Sequence, residues 1–315
     1  MTRDKKNNID WSKGRHREML EWQRRQMWQE DDIERHAGWM DLRPGMVAVD
    51  IGCGLGFLGY TYWKYFGKGG RYIGIDLSSE LLKDASEAAK SWAVEGEAKF
   101  VAADAYKLPF NDNFADWVMC QTLMIHLEQP RSALSEMKRI TKPGGLITCI
   151  EPDNLSPGLV RACSSLPQYD LETQLLLYKV NLIAAKGRIK LGLGDLGVAP
   201  FIPHMLGELQ LEDIDIRVRD RVPFVEPPYK SSEQQRTIEN MKKYLLNDES
   251  FKNQAEESRK QFLAGGGDPN EFDRVLELGD KQRKTQMKQI EDNEFFICRA
   301  YPVYIIKGRK SRQFC

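Results

Sequence analysis

The chain has 315 residues, 41% hydrophobic and 10% aromatic, enough apolar material to bury a core and to exclude wholesale disorder. Lys plus Arg equals Asp plus Glu at 46 each and the pI is near 6.9, so the balance supplies no global attraction to nucleic acid or to an anionic membrane surface. The six cysteines form no C-x-x-C pair, and no run reaches the length needed to span a bilayer, which speaks against a zinc site, a disulfide framework and a membrane span.

In chain order, the first eight residues are charged with no apolar stretch behind them, which argues against a secretory signal. A soluble cytoplasmic protein with reduced cysteines is the expectation. Residues from about 10 to 40 carry Trp11, Trp22, Trp28 and Trp39, and Leu20, Met27 and Trp28 follow the i, i+7, i+8 spacing of one helical face. An amphipathic helix is predicted there, with Trp22 off its stripe, and Arg43-Pro44-Gly45 ends the segment.

Strands and helices then alternate. Met46–Val49 is the first strand, followed by a glycine turn and a helix through Tyr60–Phe66. Arg71–Ile75 is the second strand, closed by Asp76, and Ser78 or Ser79 caps a helix whose apolar face carries Leu81, Leu82, Ala85, Ala88, Ala89 and Trp92. Lys99–Ala103 is the third strand, ending at Asp104, and Phe114–Met119 the fourth. Pro130 suits the first turn of a helix that stops at Lys142-Pro143-Gly144-Gly145, and Leu146–Ile150 is the fifth strand. Such alternation implies a parallel sheet covered on both faces.

The turn after the first strand is the most informative passage. Asp50-Ile51-Gly52-Cys53-Gly54-Leu55-Gly56 places an acid at the end of a buried strand and then glycines at every second position. Glycine permits positive φ and lets a ligand approach where a Cβ would collide. Gly54-Leu55-Gly56-Phe57-Leu58-Gly59 also fits the G-x-G-x-x-G pattern of dinucleotide sites, with Asp76 about twenty residues on, but alone that match is weak.

Together, Asp50 with Gly52, Gly54 and Gly56, Asp76, Asp104-Ala105, Leu108-Pro109-Phe110 and the Pro143-Gly144-Gly145 turn resemble, in order, the class I S-adenosylmethionine-dependent methyltransferases of small-molecule type. The likeness covers residues 40–155 strongly and 199–222 more loosely. Asp50 favours that cofactor chemically: a carboxylate repels a pyrophosphate but suits an ammonium and a sulfonium. The resemblance implies an α/β, Rossmann-like, seven-stranded, mostly parallel sheet. Glu212–Val222 would be its sixth strand and Phe295–Ile306 a seventh, antiparallel one.

On this basis the expected organisation is an N-terminal helical lid (1–42), a cofactor-binding core (43–155), a helical insertion (156–198), core continued (199–225), a helical cap insertion (226–294), and a final strand with a basic tail (295–315). The tail, Lys307 to Arg312, is read as solvated. The resemblance implies S-adenosyl-L-methionine as cofactor. Gly52, Gly54 and Gly56 would form the turn beneath it, with Asp50 beside its methionine part and Asp76 at the ribose hydroxyls. Leu77 would pack on the adenine, Asp104 and Ala105 meet its edge, and Gln121 lie along the methionine or sulfonium.

His126 has two readings, deprotonation of an acceptor or ordering of a helix start, and both stay open. Glu151, His204 and Tyr106 read as structural or pocket-lining. Trp22 or Trp28 would close over the cofactor or pack on the core, and Arg15 or Arg24 reach its carboxylate. Glu226-Pro227-Pro228-Tyr229 imitates a motif of amino-group methyltransferases but lies far from the fourth strand, so it reads as a linker.

The implied activity is methyl transfer to an oxygen, nitrogen or carbon nucleophile of a small molecule, with no metal, nucleic acid or membrane involved. A protein or RNA acceptor is the first alternative. An NAD-dependent oxidoreductase or a catalytically silent cofactor-binding module is the second.

Overall fold

The computed structural model describes residues 17, 28–93, 95–156 and 162–312. The strands are Val47–Ile51 (β1), Arg71–Asp76 (β2), Glu97–Ala102 (β3), Ala115–Gln121 (β4), Thr141–Pro152 (β5), Cys163–Ser164 (β6), Leu211–Val218 (β7), Phe224–Val225 (β8), Ile297–Cys298 (β9) and Val303–Lys310 (β10). The helices are Glu30–Met40 (α1), Phe57–Phe66 (α2), Ser79–Trp92 (α3), Pro130–Ile140 (α4), Leu171–Lys190 (α5), Ile202–Glu208 (α6), Ser232–Leu246 (α7), Asp248–Gly265 (α8) and Pro269–Glu291 (α9).

Seven strands form one sheet in the order β3-β2-β1-β4-β5-β10-β7. The five from β1 to β5 pair parallel, while β10 inserts antiparallel between β5 and β7. This is the Rossmann-like α/β sheet expected from the motifs. All of β1 is buried, as a parallel strand covered on both faces must be. Val47, Val49 and Ile51 join the side chains of α4 and α6 on one face, and Ala48 joins Tyr62, Phe66, Tyr72 and Trp117 on the other.

Ser78 is the cap of α3, its hydroxyl accepting from Leu81 N at 3.3 Å. The Pro-Gly-Gly turn is absorbed into β5. Ala115 pairs with Thr141 and Trp117 with Leu146, so Lys142–Gly145 bulges out of the ladder, with Gly144 at φ +75°. The final core strand begins at Val303, later than the sequence suggests, because Ile297–Cys298 pairs with β6 and β8 in a small separate sheet.

Of the N-terminal region, α1 is described from Glu30 onward and buries Ala37 and Met40 against the sheet. Trp28 precedes this helix and packs edge-on against Tyr62 and His36, so it belongs to the core. Leu20, Trp22, Met27, Arg15 and Arg24 lie outside the described residues.

In the basic tail Arg312 is exposed, but Lys307 and Lys310 are engaged rather than solvated. Lys310 Nζ donates to the carbonyls of Lys138 and Thr141 at 2.9 Å each and so caps the C-terminus of α4, while Lys307 Nζ donates to Trp39 O at 2.8 Å. A cation at a helix C-terminus meets both unpaired carbonyls and the negative end of the helix dipole.

The two insertions come together. α5, α8 and α9 share a core of Val180, Phe262 and Phe272, and α7, α9 and the small sheet share another around Tyr229, Ile238 and Phe295. The Pro-Pro-Tyr segment is structural, since Tyr229 is buried and its hydroxyl donates to Phe295 O at 2.9 Å. Glycine sets the α5–α8 approach: a Cβ on Gly187 would lie 1.7 Å from the Gln261 carbonyl oxygen, which backbone cannot yield. Gly187→Ala therefore destabilises the protein by about 3 kcal/mol, the upper end for overpacking, read as a lower denaturant midpoint.

His36 is fully buried, and burial is the main cause that holds its pKa down at about 4, with Arg35 and Arg217 adding to it. Below pH 6.5 the unfolded chain takes up a proton that the native imidazole refuses, so stability falls as the pH drops from 6.5 towards 4. The loss is about 3 kcal/mol. In urea midpoints measured against pH, His36→Gln removes this component, and the wild-type and variant curves diverge over that window.

Candidate active site

Ligands in such sheets lie beyond the carboxyl ends of the strands, where β1 and β4 end beside β2 and β5. Gly52, Gly54 and Gly56 have φ of +70°, +53° and +75°, a backbone that L side chains rarely adopt. Their surroundings differ. A Cβ on Gly52 would meet Leu123 at 2.8 Å and one on Gly56 would meet Phe100 at 3.3 Å, whereas a Cβ on Gly54 would have nothing within 4 Å. The turn is packed at its two ends and open at its centre. Gly59, one turn into α2, lets that helix lie on β2, since a Cβ there would be 2.3 Å from the Tyr72 ring.

Asp76 ties the turn to its neighbour strand. Its Oδ2 accepts from Gly54 N and its Oδ1 from Ser78 N, each at 2.9 Å. Each carboxylate oxygen can take a second donor, so Asp76 keeps acceptor capacity at the strand edge. Next to it Leu77 is 65% exposed, a large apolar side chain left uncovered beside a polar edge. Ala103 N donates to Asp76 O at 3.1 Å, which brings the end of β3 alongside. There Asp104 Oδ1 accepts from Tyr106 N at 2.9 Å and Ala105 is buried. Tyr106 in turn accepts from Gln129 N through its hydroxyl at 3.1 Å, joining this loop to the start of α4.

Asp50 sits beneath the turn rather than on its surface. It is 1% exposed, and its Oδ2 accepts from the Tyr72 hydroxyl at 2.7 Å. Burial first, and the Asp50 charge second, push the Tyr72 pKa up. Burial, followed by Asp50 and Asp76, does the same to the Cys53 thiol, so Cys53 is an inert packed group.

The β4 end is organised by Glu151, whose part sequence reasoning understated. Glu151 is fully buried, and its Oε1 accepts from Leu123 N at 2.8 Å and Met124 N at 3.0 Å. These amides open the short 3-10 turn Met124–His126, so the carboxylate holds the loop that carries His126. The signal was present as an acid directly following the apolar run of β5. Gln121 closes β4 and is buried, and Thr122 after it takes φ +54° while its N–H donates to Ile150 O at 2.8 Å.

His126 accepts at Nδ1 from Arg188 Nη2 at 3.1 Å. Guanidinium can only donate, so Nδ1 carries the lone pair and the ring proton is on Nε2. Sequence reasoning missed Arg188 altogether, because its chain neighbours give no hint of a partner in the β4 loop. His204, by contrast, is 81% exposed on α6 beside Glu208, which removes it from the site. Among the described residues no group of three His, Cys, Asp or Glu side chains is placed to hold a metal. Nor is any described helix long and apolar enough to cross a membrane.

A family model described as a methyltransferase domain matches residues 49–149. The chain is 41% identical over 113 residues to an uncharacterized methyltransferase of Schizosaccharomyces pombe, covering 34% of this chain and 40% of that protein. It is 36% identical over 126 residues to demethylmenaquinone methyltransferase of Staphylococcus aureus, covering 38% of this chain and 51% of that protein. The chain thus spans about half, or less, of the length of these curated relatives. A solved structure of a candidate methyltransferase from Bacillus halodurans aligns over 89% of this chain and 99% of that one, with a TM-score of 0.50 and 16% identity, a likeness of fold. The glycine turn and the acid-ended strands fall within the matched stretch, so residues 49–149 carry a methyltransferase domain, and the sheet with its antiparallel β10 shares the fold of the solved methyltransferase.

Proposed function

We propose that this protein transfers the methyl group of S-adenosylmethionine to an oxygen, nitrogen or carbon nucleophile of a small molecule held under the helical cap. The observation that carries the reading is the open main chain at Gly54, flanked by the Asp76 carboxylate and the bare Leu77 side chain. A Cβ at Gly54 would fill that space, so the residues present fit the cofactor.

In this reading the Asp76 lone pairs not used by Gly54 and Ser78 accept from the two ribose hydroxyls, and Leu77 covers one face of the adenine. Asp104 and the Ala105 amide meet the adenine edge, and Gly52 to Gly56 with Gln121 line the methionine portion. Asp50 contributes negative charge from below the turn, through low-dielectric protein rather than by direct contact.

The bound cofactor supplies an activated methyl group on a sulfonium. What the chain adds is alignment of the nucleophile and exclusion of water. With its proton on Nε2, His126 is arranged to donate a hydrogen bond to the acceptor rather than to remove its proton. The balanced charge and the name of the Staphylococcus aureus relative support a small-molecule acceptor.

Mass spectrometry of small molecules released from the purified protein should find S-adenosylhomocysteine, and NAD in its place would reject the proposal. By calorimetry, Asp76→Ala weakens S-adenosylhomocysteine binding by about 1–3 kcal/mol, as for lost bonds to a charged acceptor. A thermal midpoint measured alongside separates this from the loss of the Gly54 and Ser78 bonds. Unchanged affinity in a folded variant would show that Asp76 does not hold the ribose.

A further inference from the structure

A buried guanidinium stands beside the loop that follows β4. Arg188, near the end of α5, is 5% exposed. Its Nη2 donates to His126, and its Nε has no hydrogen-bond partner among the described residues. Nor is it ion-paired among the described residues: the acid whose charge it feels most, Glu257 on α8, is not in salt-bridge contact with it, and burial lowers its pKa. Arginine stays protonated in proteins, so the charge is present and poorly compensated.

Cap and core build this place together. A Cβ on Gly194 would lie 2.4 Å from Ile125 O and 2.9 Å from His126 Cα, and one on Gly192 would lie 3.4 Å from the Glu128 carboxyl carbon. The loop after α5 is therefore pressed onto the Met124–His126 turn. That turn starts at Leu123, whose side chain lies against Gly52 of the glycine turn. Arg188 is thus one short turn away from the wall of the methionine end, and half-buried His126 stands between the two.

Packing alone does not account for the residue. A Met or Leu would fill the space of the aliphatic stem without a charge, and buried charges persist where something compensates them. Guanidinium is a planar fork of donors that matches carboxylate and phosphate oxygens, and here one donor is already stripped of water.

We propose that Arg188 receives an oxyanion, a carboxylate or a phosphate, carried by the methyl acceptor. His126 is held by the same guanidinium and orients the nucleophile next to it. This deepens the methyl-transfer reading above and rests on it. The acceptor is accordingly an anionic small molecule whose charged group lies one turn away from the atom that receives the methyl group.

The test uses the full chain, 15N-labelled, with and without saturating S-adenosylhomocysteine. The Arg188 Nε–H resonance is assigned by its loss in Arg188→Lys. Inorganic phosphate and acetate are then titrated separately at constant ionic strength. The expected result is a saturable shift of that resonance, and the more effective anion tells phosphate from carboxylate. No shift with either anion up to tens of millimolar overturns the oxyanion site.

A second arm supplies methyl-labelled S-adenosylmethionine and a metabolite extract separated at neutral pH into anion-exchange-retained and unretained fractions. Label in the retained fraction, reduced at least tenfold in Arg188→Met with S-adenosylhomocysteine affinity unchanged, supports the proposal. Label confined to the unretained fraction overturns it. Failure of the wild type to bind S-adenosylhomocysteine overturns the methyl-transfer reading itself, and with it the proposal.

Discussion

One carboxylate, Asp76, holds the carboxyl edge of the sheet in its working shape. Through one oxygen it fixes the amide of Gly54, and through the other that of Ser78, which caps α3. The turn out of β1 and the helix out of β2 are therefore referenced to the same group. Backbone at positive φ costs roughly 1–2 kcal/mol for a residue with a Cβ, and the turn has three such positions in sequence. Glycine removes that cost, and the Asp76 bond selects one arrangement out of the freedom that glycine brings. Cradle, strand end and helix start follow from this one constraint.

The parts of the fold legible in the sequence are those whose cause is local. Acids after apolar runs, as at Asp50, Asp76 and Asp104, mark strand ends, and Pro130 and Ser78 mark helix starts, because each acts on neighbours within a turn. The illegible parts have distant causes. Nothing around Lys310 announces that it will cap α4, and nothing around Gly187 announces a contact with Gln261. The same holds for Ile297–Cys298, whose apolar pattern suits the main sheet, although its partners β6 and β8 make a separate one. Period and composition report which face is buried, not which surface it meets.

Asp50 shows a finer limit. Its place in the motif was plain, yet its depth was not, since the Tyr72 hydroxyl that receives it comes from the next strand. A carboxylate sealed beneath a turn sits in a low-dielectric environment, which strengthens its field. The zero net charge of the chain conceals this arrangement. Asp50, Glu151 and Arg188 are buried there, and each has been given a specific position by the fold.

The Met124–His126 turn shows what such placement achieves. Glu151, from the core strand β5, accepts the two amides that open the turn. Arg188, from the cap, donates to the imidazole that closes it. A negative group therefore meets the donors at one end and a positive group meets a lone pair at the other, so neither end can rotate without exposing a buried charge to an unpaired contact. One of these anchors belongs to the sheet and the other to a helix that packs through Gly187 onto α8. The orientation of His126 consequently depends on the cap being correctly assembled. A displacement of α5 would break the bond between guanidinium and imidazole, so the position of the cap and the orientation of His126 are linked through this side-chain pair.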